Sequence, residues 1–179
     1  MHIIEKYFQE ILHCFTMTNI RCEGGKEIDL LAVNPKTLEK FHVEARITTS
    51  RSFALREKDA CTSKEIAYRR GLDYFSKQKF NHPVVRRKII DIFGDSNYRK
   101  ILVIWDAKEG FNQLARIAKE KYTIELFGLR PIIFELIVQR GHLGSRDDVI
   151  RTLELVTLER TYRSDRRLRK DYHAILPLS

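Results

Sequence analysis

Gly25-Lys26-Glu27-Ile28-Asp29-Leu30-Leu31-Ala32-Val33 and Phe41-His42-Val43-Glu44-Ala45-Arg46-Ile47 are two neighbouring apolar runs, each interrupted by a carboxylate. Both have the length and alternation of strands. In the second, the period of two sets Phe41, Val43, Ala45 and Ile47 on one face and His42, Glu44, Arg46 and Thr48 on the other. In the first, Ile28, Leu30 and Ala32 share a face, while Leu31 and Val33 lie beside Asp29. The connection, Asn34-Pro35-Lys36-Thr37-Leu38-Glu39-Lys40, opens with turn-forming residues. An antiparallel hairpin is therefore the economical arrangement, and it brings Asp29 near Glu44. An acid inside such a run carries a desolvation cost that a metal or a cation would offset. Two carboxylates, completed by a backbone carbonyl and water, suit Mg²⁺ or Mn²⁺. The plainer alternative is an ion pair between Asp29 and Arg46 on an outer sheet face.

Asp29 in Glu27-Ile28-Asp29-Leu30-Leu31-Ala32, followed by Glu44-Ala45-Arg46, resembles the metal site of the restriction-endonuclease-like PD-(D/E)XK nucleases. The likeness is to the archaeal Holliday-junction-resolvase and Mrr-like branches in particular. It implies that Asp29 and Glu44 hold Mg²⁺ or Mn²⁺, with Glu5 of an N-terminal helix as a further ligand. Arg46 stands where the family has lysine, and no proline precedes Asp29. Arginine keeps its proton near neutral pH, so Arg46 can clamp a phosphate or orient hydroxide but cannot serve as a general base. The family's ammonium would have to come from elsewhere, and Lys64 is the nearest candidate. The resemblance thus implies a catalytic set of Asp29, Glu44, Arg46 and Lys64.

Outward from the hairpin, Ile4, Phe8, Ile11, Leu12 and Phe15 form a helical stripe over Met1 to Phe15, with Glu5 near its border. Met17 to Glu23, ahead of Gly24-Gly25, is the expected first strand. Thr48 to Ala60 is polar and basic, a loop over the site. Thr62-Ser63-Lys64-Glu65 has the form of a capping box opening a helix to about Phe80, with Ile66, Tyr68, Leu72 and Phe75 inward. Pro83 starts and Gly94 stops a second helix. Ile101 to Trp105 is a continuous apolar run, as in a central strand covered on both faces. A helix over Asn112 to Tyr122 and a strand over Thr123 to Leu129 follow. Pro131 and Gly141 bracket a helix over Ile132 to Arg140, although Ile132 to Val138 also fits a strand. A last helix runs from Ser145 or Asp148 to about Thr161.

This order predicts an α/β protein with a restriction-endonuclease-like αβββαβ core, a mixed sheet flanked by helices, and extra C-terminal helices. The whole chain, 1–179, reads as one nuclease-like domain, with the core at about 1–129 and C-terminal helices and a basic tail at 130–179.

Thirty-three Lys and Arg against 24 Asp and Glu give a net charge of +9, which points to a polyanionic partner. The cations concentrate at Arg69-Arg70, at Arg86-Arg87-Lys88, and at Arg163, Arg166, Arg167 and Arg169 in the tail. Duplex or branched DNA is the expected partner, and the apolar end of the tail allows a homodimer. The tail reads equally well as a solvated helix end, because Glu159, Asp165 and Asp171 interleave with its cations. Cys14, Cys22 and Cys61 lack metal-binding or redox spacing, so free thiols in a reducing compartment are expected. No secretory leader or membrane-length apolar run is visible, and the expected location is intracellular. Walker, dinucleotide-binding and Ser-His-acid signatures are absent from the sequence. The expected activity is metal-dependent hydrolysis of DNA phosphodiester bonds. The alternatives are a nuclease-fold binding module without cleavage and a purely structural interaction protein.

Overall fold

Gly24 and Gly25 have φ values of +66° and +69°, a left-handed backbone that side chains with a Cβ rarely adopt. They turn the chain between β1 (Phe15–Arg21) and β2 (Glu27–Val33), which pair antiparallel. The Asn34 side chain nucleates the next turn, its Oδ1 accepting from the N–H groups of Lys36 at 2.8 Å and Thr37 at 3.1 Å. Beyond that turn β3 (Lys40–Arg46) pairs antiparallel with β2, as the hairpin reading predicts. The computed structural model describes residues 1–47, 55–57, 60–62, 65–69, 71–105 and 110–140.

Two strands laid parallel complete the sheet. β4 (Ala60–Thr62) and β5 (Glu65–Arg69) form a separate antiparallel pair. β6 (Arg99–Ile104) lies parallel to β3, and β7 (Glu125–Gly128) parallel to β6. The five-stranded sheet has the order β1-β2-β3-β6-β7, so the fold is α/β with a mixed sheet. The flanking helices are α1 (His2–Glu10), α3 (Pro83–Phe93) and α4 (Phe111–Tyr122), and α5 (Leu129–Arg140) follows β7. Between β5 and α3 a short turn, α2 (Leu72–Tyr74), runs into a π-helical segment, Phe75–Phe80. The chain divides into two compact units, Met1–Ile132 and Ile133–Ser179, with the boundary inside α5. The sheet and everything below belong to the first.

Both faces of the sheet are covered. On one, the Phe8 ring of α1 meets Phe41 edge-on at 5.5 Å. On the other, His42 meets Phe80 at 4.7 Å. Phe41 and His42 are consecutive in β3 and point to opposite faces, so α1 and the π segment lie in different layers. Leu102 and Ile104 of β6 pack with Leu72, Phe75 and Phe80 and with Leu114 and Ala118 of α4. Val85 and Ile89 of α3 cover Ile28 and Leu31 of β2. The His42 and Glu44 face is therefore interior.

Several sequence expectations need correction. The first helix ends at Glu10 rather than Phe15, because His13 takes a left-handed φ of +53° and Phe15 opens β1 with its side chain 75% exposed. The helix expected from Thr62 to Phe80 is replaced by β4, β5, α2 and the π segment. Alternation in Glu65–Arg69 suits a strand as well as a helix, and pairing with β4 decides it. Pro131 and its neighbours are helical, which settles the helix-or-strand alternative there for a helix. The capping residue Lys64, most of the Thr48 to Ala60 loop, and the helix from Ser145 lie outside the described residues. Among the described residues no helix is long and apolar enough to cross a membrane.

Burial predicts a contrast between two large hydrophobics. Leu102→Ala, at a fully buried position of the interior strand β6, is expected to cost about 2–5 kcal/mol in denaturant unfolding. Phe15→Ala should stay within about 0.5 kcal/mol of the parent. Equal losses would contradict the observed end of α1.

Candidate functional site

The β2–β3 register pairs Leu30 with Val43 and Leu31 with His42. Continued along the strands, it sets Asp29 beside Glu44. The Ala45 N–H donates to Asp29 Oδ2 at 2.9 Å, which fixes the aspartate at the open end of the hairpin. The Glu44 side chain is 1% exposed and that of Asp29 22%. A carboxylate as buried as Glu44 is tolerated only when compensated. Two groups compensate it. His42 Nε2 lies 2.9 Å from Oε1, and Lys79 Nζ lies 2.7 Å from Oε2. The same ammonium is 3.7 Å from Asp29 Oδ1 and donates to the Glu27 carbonyl at 2.9 Å.

Lys79 comes from the π segment. There Phe75, Ser76 and Phe80 are buried, and the wider turn is closed by the Asn81 N–H donating to the Ser76 carbonyl at 2.9 Å. Single π turns are rare and concentrate at functional positions. Here the turn carries a lysine inward along with its apolar neighbours.

Charge is unevenly shared. Burial, and then the nearby Glu44 charge, hold the Asp29 carboxyl above the ordinary carboxylate range, outweighing the Ala45 N–H and the Lys79 ammonium. Burial pulls Lys79 down, but the Glu44 carboxylate overcomes this and its affinity for a proton is raised. It is an ammonium at neutral pH. Burial keeps His42 below its usual value despite Glu44, so it is neutral and donates through Nε2. Both carboxylates contact the one Lys79 ammonium, and a divalent cation would relieve the repulsion between them. Asp29 and Glu44 are the residues that could hold one. Among the described residues no group of three or more His, Cys, Asp and Glu could do so.

The structure brings Asp29 and Glu44 together and leaves Glu5 apart. Glu5 accepts a hydrogen bond from Thr16 Oγ1 at 3.2 Å and lies 3.6 Å from His2. Its helix covers the Phe41 face, whereas Glu44 points to the other, which is why it does not join them. Arg46 follows Glu44 on the same strand face and is half-buried. The ion pair to the aspartate is made by Lys79 instead. Arg86 and Arg87 are exposed and Lys88 half-buried on α3. Arg69 closes β5. Arg70, Arg163, Arg166, Arg167 and Arg169 lie outside the described residues, as does Lys64.

Lys79 is the member of this charged cluster that the sequence reading missed. Its signal was present: Leu72, Phe75, Ser76, Lys79 and Phe80 fall on one helical stripe, at spacings of three, four, seven and eight from Leu72. A lysine inside an apolar stripe calls for a buried acid.

No protein-family model matches the sequence, and no curated protein matches it. One solved structure, described as a protein of unknown function, AF1548, is similar to 78% of this chain over 76% of its own. The identity is 10% and the TM-score 0.38.

The Asp29 shift gives a stability prediction with a definite sign. A carboxyl whose folded pKa is raised contributes stability below its unfolded pKa and loses it as pH rises through the folded value. Asp29→Asn keeps an oxygen for the Ala45 N–H and cannot ionise. At pH 7 it is expected to melt higher than the parent, the sign that a raised carboxyl pKa dictates. The gain should vanish below about pH 4, where Asp29 is protonated in both states. A lower melting temperature at pH 7 would contradict the charge crowding.

Proposed function

We propose that this protein is a metal-dependent nuclease that hydrolyses DNA phosphodiester bonds at Asp29 and Glu44. The observation that carries this reading is the convergence of the two carboxylates with the Lys79 ammonium, 2.7 Å from Glu44 and 3.7 Å from Asp29. The restriction-endonuclease-like resemblance calls for two acids and a lysine. Arg46 replaces that lysine in the sequence, and Lys79 would supply it in space. The choice of DNA rests on the resemblance together with the net charge of +9.

Asp29 Oδ1 and Glu44 Oε2 would hold Mg²⁺ or Mn²⁺. When bound, such an ion polarises a phosphoryl oxygen and makes a bound water nucleophilic near neutral pH. The Ala45 N–H keeps Asp29 Oδ2 occupied, so that Oδ1 is the oxygen presented. His42 holds Glu44 Oε1 and leaves Oε2 to the site. Lys79, an ammonium at neutral pH, acts as a fixed positive charge for the developing phosphorane, not as a general base. Arg46 would clamp a phosphate oxygen. Arg86, Arg87 and Lys88 would hold the backbone and make binding strongly salt-dependent.

One observation favours a second reading. Lys79 already neutralises Glu44 at 2.7 Å, as it would in a nuclease-fold module that binds nucleic acid and no longer cleaves it.

The test is cleavage of supercoiled, linear, single-stranded and four-way-junction DNA with Mg²⁺ or Mn²⁺. Asp29→Asn and Glu44→Gln should abolish cleavage. Lys79→Gln should slow it about 10²–10³-fold, the usual cost of losing one preorganised charge partner, while Arg46→Lys remains active. No cleavage of any substrate, with salt-sensitive binding unchanged by Asp29→Asn, would select the binding module.

A further inference from the structure

Val84, Arg87, Lys88 and Asp91 form one stripe of α3, at helical spacings of three, four and seven from Val84. Facing the stripe are Arg21, Cys22 and Glu23, where β1 ends and turns, and the two walls bound a cleft of about 180 Å³. The turn is held by the Cys22 N–H, which donates to the Lys26 carbonyl at 2.8 Å. Cations stand on both walls, Arg21 on the strand side and Arg87 and Lys88 on the helix. Among the described residues none of the three is in an ion pair, although Glu23 and Asp91 belong to the same lining. Other cations of the fold are paired, Lys40 with Asp95, Arg99 with Glu39 and Glu125, and Lys121 with Glu57. Burial holds the Cys22 thiol above its usual range, so it adds no negative charge to the cleft at neutral pH.

We infer that this cleft is a subsite for one phosphodiester group, held between Arg21 on one wall and Arg87 and Lys88 on the other. Guanidinium groups present paired N–H donors that match phosphate oxygens. Three cations against two acids leave the lining with a formal charge of +1, which a single phosphodiester, a monoanion, neutralises. The cleft is smaller than the roughly 300 Å³ at which pockets for drug-sized ligands begin, so it takes one such group and not a whole nucleotide. The register relates it to the carboxylates. β1 is an edge strand of the five-stranded sheet, and Arg21 pairs with Glu27, two residues before Asp29. Arg21 is thus about 7 Å along the sheet from Asp29 and one strand, about 5 Å, outward. Arg21, Glu23 and Glu27 are exposed, so a nucleic-acid strand crossing the sheet edge would meet both places. The phosphodiester is accordingly one of a nucleic-acid backbone. This assignment of the occupant rests on the nuclease reading above, whereas the diester subsite itself does not.

Two measurements on the full chain separate the subsite from its occupant. Dimethyl phosphate, a free diester monoanion, is titrated in without metal while the Val84 methyl resonances are followed by NMR. They should shift saturably. The shift should be lost in Arg21→Gln and in Arg87→Gln and retained in the control Lys36→Gln, at an exposed position outside the cleft. No saturable shift, or a shift indifferent to both substitutions, overturns the subsite whether or not the protein cleaves DNA. Binding of a duplex DNA oligonucleotide in EDTA is then measured against salt. Arg21→Gln and Arg87→Gln combined should make the plot of log affinity against log salt shallower by about 0.9 unit, the value for one phosphate. A change of about twice that would put the two arginines on separate phosphates and overturn the shared subsite. Dimethyl phosphate binding with an unaltered DNA slope would leave a diester site and overturn its nucleic-acid occupant.

Discussion

The rest of the site depends on one burial, that of the Glu44 carboxylate inside a covered sheet face. Its side chain is 1% exposed, and a lone charge there would cost several kcal/mol. His42 and Lys79 make it tolerable, one oxygen each. This constrains the chain on both sides. His42 must stay neutral and keep its Nε2 proton toward Glu44, with Phe80 packed against its ring. Lys79 must enter the interior from a segment whose other inward residues are Phe75, Ser76 and Phe80.

The π turn reconciles those demands. Phe75 and Phe80 anchor the segment in the core, while Lys79, one residue before Phe80, reaches across to β2 and β3. Its ammonium ties the Glu27 carbonyl, Asp29 and Glu44 to one point, so the hairpin and the helical layer are locked together by charge as well as by packing. The carboxylates are not neutralised completely. Asp29 remains crowded by Glu44, which costs stability while both groups are ionised.

Much of the sheet was legible because its signals are local. Asn34 sets the hairpin, Pro83 and Gly94 delimit α3, and the run Ile101 to Ile104 marks a central strand. Asp29 and Glu44 were legible as a pair for the same reason, since one turn and the period of two bring them together. Lys79 was not, because it lies 35 residues beyond Glu44 and meets it only through tertiary packing. A helix drawn from Thr62 to Phe80 also obscured it. Ile66 and Tyr68 seemed to continue the apolar stripe, whereas Glu65–Arg69 is a strand and the stripe begins at Leu72. Glu5 was misplaced by a layer. The helix stripe that buries Ile4 and Phe8 packs on the Phe41 face, and no sequence period specifies which face of the sheet a helix covers.

The central claim is that the Lys79 ammonium makes Glu44 burial possible. A double-mutant cycle measures it directly. Unfolding free energies are compared for Glu44→Gln, Lys79→Gln and their combination. A coupling of about 1–3 kcal/mol is expected. Additivity between Glu44 and Lys79 would contradict it.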